Sequence, residues 1–177
     1  MISFFKSYKL FLYHVFFIGI LGCKEKEPVS ELVETSIETK SITEKDIDAI
    51  DFTEYVLSDR SEKSTQNWIK FQGLQNQIEI LKKGDLSFFE DDKEILKGLL
   101  TELKNDLPED LNDPSILARI IALETSAYKL HDEAVFNRAN KEDLLEAIKE
   151  LLVAHSHLIF QLNKKFEKEV HDIQKPY

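Results

Sequence analysis

Apolar residues recur along the second half of the chain at three- and four-residue steps, the stripe of amphipathic helices. From Ser61 the stripe runs Trp68, Phe71, Leu74, Ile78 and Leu81. Gly84 stands where a glycine commonly ends a helix. A second helix is expected within 86–106, on Phe88, Phe89, Ile95, Leu96, Leu99, Leu100 and Leu103, and it stops at Pro108 and the acidic run "PEDLND". Asp113-Pro114 pairs a capping side chain with a proline at the first helical position, which restarts the helix. This third helix carries Ile116, Ile120, Leu123, Ala127, Leu130 and Ala134 on one face. Asn140 caps a fourth, with Asp143 at its third position in the manner of a capping box. Its stripe is Leu144, Ile148, Leu151, His155, Leu158, Leu162 and Phe166, and Pro176 closes the chain.

Four helical patterns, short connections and no alternating strand pattern predict an all-α fold. An antiparallel four-helix bundle over residues 61–177 is the expected architecture. Only five glycines occur in 177 residues, which fits helices throughout. No internal sequence repeat is visible, although two helical hairpins would repeat by shape.

Upstream, residues 23–60 read differently. The stretch is rich in Glu, Asp, Ser and Thr, with apolar residues spaced singly. Such a composition buries too little surface to offset the entropy of ordering, so 24–45 reads as a flexible acidic tether. Ile47, Ile50, Phe52, Tyr55, Val56 and Leu57 leave two readings open for 46–60: docking on the helical domain, or a short helix of its own.

The first 22 residues have a third character. Lys6 and Lys9 are their only charges, and an apolar run from Leu10 to Leu21, with His14 inside it, leads to Gly22 and the single cysteine, Cys23. A basic start, about a dozen apolar residues and a small residue at the cut mark a secretory signal. The run is shorter than the roughly 20 residues of a membrane-spanning helix. Ile20-Leu21-Gly22-Cys23 resembles the lipobox of bacterial lipoproteins. That resemblance covers residues 1–23 and implies cleavage before Cys23, a diacylglyceryl group on its sulfur and usually an acyl chain on the new amino terminus. Several acyl chains hold a protein firmly on a bilayer, where one alone is marginal.

Lys24-Glu25-Lys26-Glu27 resembles in part the lysine-plus-acidic export signal of Bacteroidetes surface lipoproteins, with Lys26 interrupting the acidic run. A solvated spacer beside the membrane is the other reading. Lysine rather than aspartate at position 24 points, by the enterobacterial sorting rule, to the outer membrane. The expected location is therefore the bacterial envelope, on its outer membrane, with periplasmic and surface faces both open.

Charge and cysteine content narrow the function. The chain carries 23 basic and 33 acidic residues, and loss of Lys6 and Lys9 with the signal takes the net charge from −10 to −12. Such a surface argues against nucleic acid and against broad adsorption to anionic lipid. With Cys23 taken by lipid, no disulfide framework, thiol nucleophile or thiolate zinc site can be built.

Helical bundles often hold metals or haem, and candidate ligands are few. A di-iron bundle wants two Glu-x-x-His motifs, whereas the nearest spacings here are Glu167 to His171 and Glu150 to His155. No Gly-rich phosphate loop or nucleophile elbow appears, so no cofactor and no catalytic residue can be named and a non-enzymatic role is expected. "HSH" at 155–157 cannot chelate one ion from a regular helix, because residues two apart point about 200° apart. His155 falls on the apolar stripe and His157 on the solvent side. If the third and fourth helices pair about 137–140, His155 lies level with Glu124. Glu124, Arg119 and Tyr128 share the segment "ARIIALETSAYKL". Together with His155 they form either a polar core or ligand site, or a core histidine and edge ion pairs satisfied locally. Trp68 and Phe71 are either core or an exposed aromatic anchor of the kind found at interfaces. "FFEDDKE" lacks the alternating ligands and central glycine of a calcium loop and reads as a solvated helix start.

These readings combine into a lipid-anchored envelope protein whose helical domain binds or scaffolds an envelope protein partner. The alternative is a small-ligand or metal-binding bundle centred on His155 and Glu124.

Overall fold

A computed structural model describes residues 41–136 and 140–170 of the chain. The signal segment with Cys23 and the first part of the tether lie outside the described residues, as do His171 and Pro176. All-α is the fold class, and no strand occurs among the described residues. The helices are α1 (Glu44–Asp48), α2 (Asp59–Thr65), α3 (Ile69–Lys82), α4 (Ser87–Glu90), α5 (Lys93–Asn105), α6 (Pro114–Val135) and α7 (Lys141–Val170). A 3-10 turn at Glu109–Leu111 joins α5 to α6.

The two long helices start where their capping residues stand. Asp113 Oδ1 accepts from Ser115 N at 2.8 Å, with Pro114 at the first turn of α6. Asn140 Oδ1 accepts from Asp143 N at 2.7 Å at the start of α7. Both are the side-chain solution to unpaired amides at a helix start.

The two shorter patterns are each broken once, and burial explains both breaks. Between α2 and α3 the backbone leaves the helix at Trp68, which turns inward and stacks on Phe71 with ring centroids 4.9 Å apart. Its indole N–H donates to the Leu103 carbonyl at 3.1 Å, and the Thr65 carbonyl accepts from both Trp68 N at 3.0 Å and Gln72 Nε2 at 3.1 Å. Between α4 and α5 the chain stops at Asp91 and restarts on Asp92, whose Oδ1 accepts from Glu94 N at 3.0 Å. The Phe89 carbonyl accepts from buried His131 Nδ1 on α6 at 2.9 Å.

Side-chain pairs give the helix directions. Lys93 meets Asp132 and Lys104 meets Glu124, so α5 and α6 run in opposite senses. Lys129 meets Glu150 while Ser115 meets Gln161, so α6 and α7 do the same. These two form the most extensive helix pair. One core draws on every helix except α2, from Trp68 and Phe71 through Phe89, Leu100, Leu123 and Leu151 to Leu162.

The body begins earlier than the composition suggests. The sequence reads 24–45 as flexible and leaves 46–60 open, but Ile42 is buried already, and Ile47 with it. Thr43 and Asp46 form a capping box that starts α1, and Asp46 reaches Lys141 of α7 at 2.9 Å. The Thr43 hydroxyl, then Lys141, hold the Asp46 carboxyl down to about 2. Gly84 makes this docking possible. Its φ of +86° is a left-handed conformation that side chains disfavour, and a Cβ there would stand 2.9 Å from Glu44 N.

Candidate functional site

Two places gather polar chemistry, one on each flank of α7. The first surrounds His155. It sits on the apolar stripe of α7, 8% exposed, and its Nε2 hydrogen-bonds Gln75 Oε1 of α3. An amide oxygen only accepts, so Nε2 carries the proton. Burial, and next the nearby Lys82 ammonium, lower the His155 pKa to about 4, against the opposing pull of Glu54 and Glu79. The ring is therefore neutral at ordinary pH.

Residues 49–58 lie across this region as a helix-free strap. Ser156 and Asn163 of α7 hold its backbone. Tyr55 N donates to Ser156 Oγ at 2.9 Å, and that hydroxyl donates to the Thr53 carbonyl at 2.7 Å. Ser58 N donates to Asn163 Oδ1 at 2.9 Å, and Asn163 Nδ2 donates to the Val56 carbonyl at 2.8 Å. Seven residues of α7 rise about 10 Å, a distance that three strap residues cover only when nearly fully extended. Tyr55 also packs on Phe160 with centroids 4.8 Å apart. Glu54 pairs with Lys82, which meets Glu79 as well at 2.9 Å. Burial opposes the Lys82 charge, but the two carboxylates outweigh it and raise its pKa.

The second place is an open groove of about 400 Å³ between α6 and α7. Its floor is made of small residues, Ala122, Thr125, Ser126 and Ala154, with Val153 beside them. Arg119 and His157 line it, and the Lys129–Glu150 pair at 2.6 Å lies toward the helix connection. Arg119 is exposed and makes no ion pair with a described residue.

The expected polar group of four does not assemble. Glu124 sends both carboxylate oxygens to Lys104 of α5, at 2.9 and 2.8 Å, while His155 is engaged by Gln75. Tyr128 faces α5 too, with Lys93 Nζ 5.4 Å from its ring. Arg119 lies in the α6–α7 groove. The reason is angular. The level of Glu124 along the hairpin matches His155, but Glu124 follows core-facing Leu123 and is turned about 100° from it, toward α5. Trp68 and Phe71 are 1% and 0% exposed, so the core takes both and neither is a surface anchor.

Gln75, Ser156, Asn163 and Lys82 escaped the sequence reading. Ser156 and Asn163 lie seven apart on one face of α7, a faint signal that periodicity alone does not separate from ordinary surface polarity. Among the described residues, no group of three or more His, Cys, Asp or Glu is placed to hold a metal ion. No helix among them is long and apolar enough to cross a membrane. The chain matches no family model, and no curated protein or solved structure is significantly similar to it.

Proposed function

We propose that this chain is a lipid-anchored protein of the bacterial outer membrane whose helical domain binds an envelope protein. The anchor rests on the lipobox-like Ile20-Leu21-Gly22-Cys23 and the basic, apolar segment before it. With a net charge of −10, the chain needs lipid rather than a basic patch to stay at a membrane. The four longer helices, α3, α5, α6 and α7, are read as an antiparallel bundle, which the opposed side-chain ladders support.

The observation that carries the binding role is the α6–α7 groove. Small residues let another helix approach the floor closely, and exposed Arg119, in no ion pair with a described residue, offers a positive charge at its edge in a chain of net charge −10. The matching partner is an amphipathic helix with an acidic residue set against Arg119. Tethering raises the local concentration of such a domain beside membrane partners. His155, on which a ligand- or metal-binding role depended, is already bonded to Gln75 beside the strap.

A photo-crosslinking residue at Thr125, in cells carrying a C-terminally tagged chain, tests the groove. Capture of one reproducible envelope protein, absent when the crosslinker sits at Lys97 on α5 and abolished by Arg119→Glu, is the expected result. The same capture from Lys97, or capture indifferent to Arg119→Glu, would overturn the groove. The anchor has a separate test. Cys23→Ser moves the protein from the membrane to the soluble fraction, and a variant that stays lipidated and membrane-bound rules out the lipobox.

A further inference from the structure

The strap is held to α7 through its backbone rather than by deep burial of its side chains. Four hydrogen bonds from two side chains of α7 all go to its backbone, at Thr53, Tyr55, Val56 and Ser58. A side-chain amide that both donates to and accepts from one peptide segment reads an extended backbone whatever its side chains are. Specificity then comes from three contacts in register. Glu54 meets Lys82, Tyr55 meets Phe160, and Leu57 packs on the core, while Val56 points out, 79% exposed.

We infer that the surface formed by Lys82 of α3 and Ser156, Phe160 and Asn163 of α7 is a peptide-binding site. Its ligand class is an extended segment carrying a carboxylate, an aromatic residue next to it, and an aliphatic residue two further on. Residues 53–58 occupy the site in cis, and a segment of the same pattern from another polypeptide takes it in trans. The occupant is defined by what already sits there, including its charge match to Lys82. Release is local: among the described residues the only helix before the strap is five-residue α1, so the strap lifts without unravelling α3, α5, α6 or α7. The inference is independent of the α6–α7 groove and of lipidation.

The test uses the whole mature chain as Cys23→Ser and a fluorescent peptide, DFTEYVLS, copied from residues 51–58. Glu54→Ala with Tyr55→Ala weakens the cis strap without touching the site. The peptide should bind this double variant about tenfold more tightly than the parent. Asn163→Leu added to it should abolish binding, and a peptide methylated on the tyrosine amide nitrogen, which cannot donate to Ser156, should bind about tenfold more weakly. No binding, or binding indifferent to both Asn163→Leu and the methyl group, overturns the site. If the double variant loses its helix signal, amide NMR of the parent chain decides. Excess peptide should then move the Tyr55 and Ser58 amide resonances to free-chain positions, and unmoved resonances overturn the inference.

Discussion

The α6–α7 hairpin and the strap are both pressed against the same core, yet different forces hold them. The hairpin buries Ile116, Ile120, Leu123 and Leu130 against Leu144, Ile148, Leu151 and Leu158. Each such side chain contributes about 1.5–3 kcal/mol relative to exposure. The strap keeps Ile50, Phe52 and Leu57 only partly buried and relies on four backbone hydrogen bonds. Each of these nets about 0.5–1.5 kcal/mol. A region held by burial opens only with the whole domain, whereas one held by a few bonds can open alone.

The largest effect should come from the hairpin. Leu151→Ala leaves a cavity at a fully buried site and should cost about 2–5 kcal/mol in urea unfolding, with the whole helical signal lost in one transition. A change below about 1 kcal/mol would show that the hairpin is not the principal source of stability.

Acid should act next, through His155. Below pH 6.5 the unfolded chain takes up a proton that the folded ring refuses until about 4. Stability therefore falls as pH drops through that window, by up to about 3 kcal/mol, and levels off below it. In His155→Leu that part of the slope disappears. A wild-type slope that survives the substitution would place its origin in other groups.

Gly84→Ala sharpens the comparison at the far end of the strap. It forces a side chain into a left-handed conformation and into the backbone at Glu44, and should cost about 1–3 kcal/mol by thermal unfolding. Unchanged stability would mean that α1 shifts away from Gly84 freely. The smallest global effect belongs to Asn163→Ala. It removes two strap bonds and should lower global stability by about 1–2 kcal/mol while leaving helix content intact, as read by far-ultraviolet circular dichroism. Loss of helix in this variant would make the strap part of the core.

The same contrast explains what the sequence revealed. The starts of α6 and α7 were legible because Asp113-Pro114 and Asn140 with Asp143 are local signals, and the core stripes because burial leaves a period. The breaks at Trp68 and Asp91–Asp92 were not, because each serves a partner distant in sequence, Leu103 for the indole and His131 for the Phe89 carbonyl. The strap was ambiguous for a related reason: bonds to its backbone impose no residue type on it. Level along the hairpin was readable for His155 and Glu124, but the angle about each helix, which decided their partners, depended on which neighbour α5 and α3 supplied.

Native-state hydrogen exchange compares the two regions most directly. The amides of Tyr55 and Ser58, which donate to Ser156 and Asn163, should open at a lower free energy than those of Leu123 and Leu151, with little dependence on denaturant. Equal protection at all four, converging on the global unfolding free energy, would contradict a strap that leaves its site while the helices stay folded.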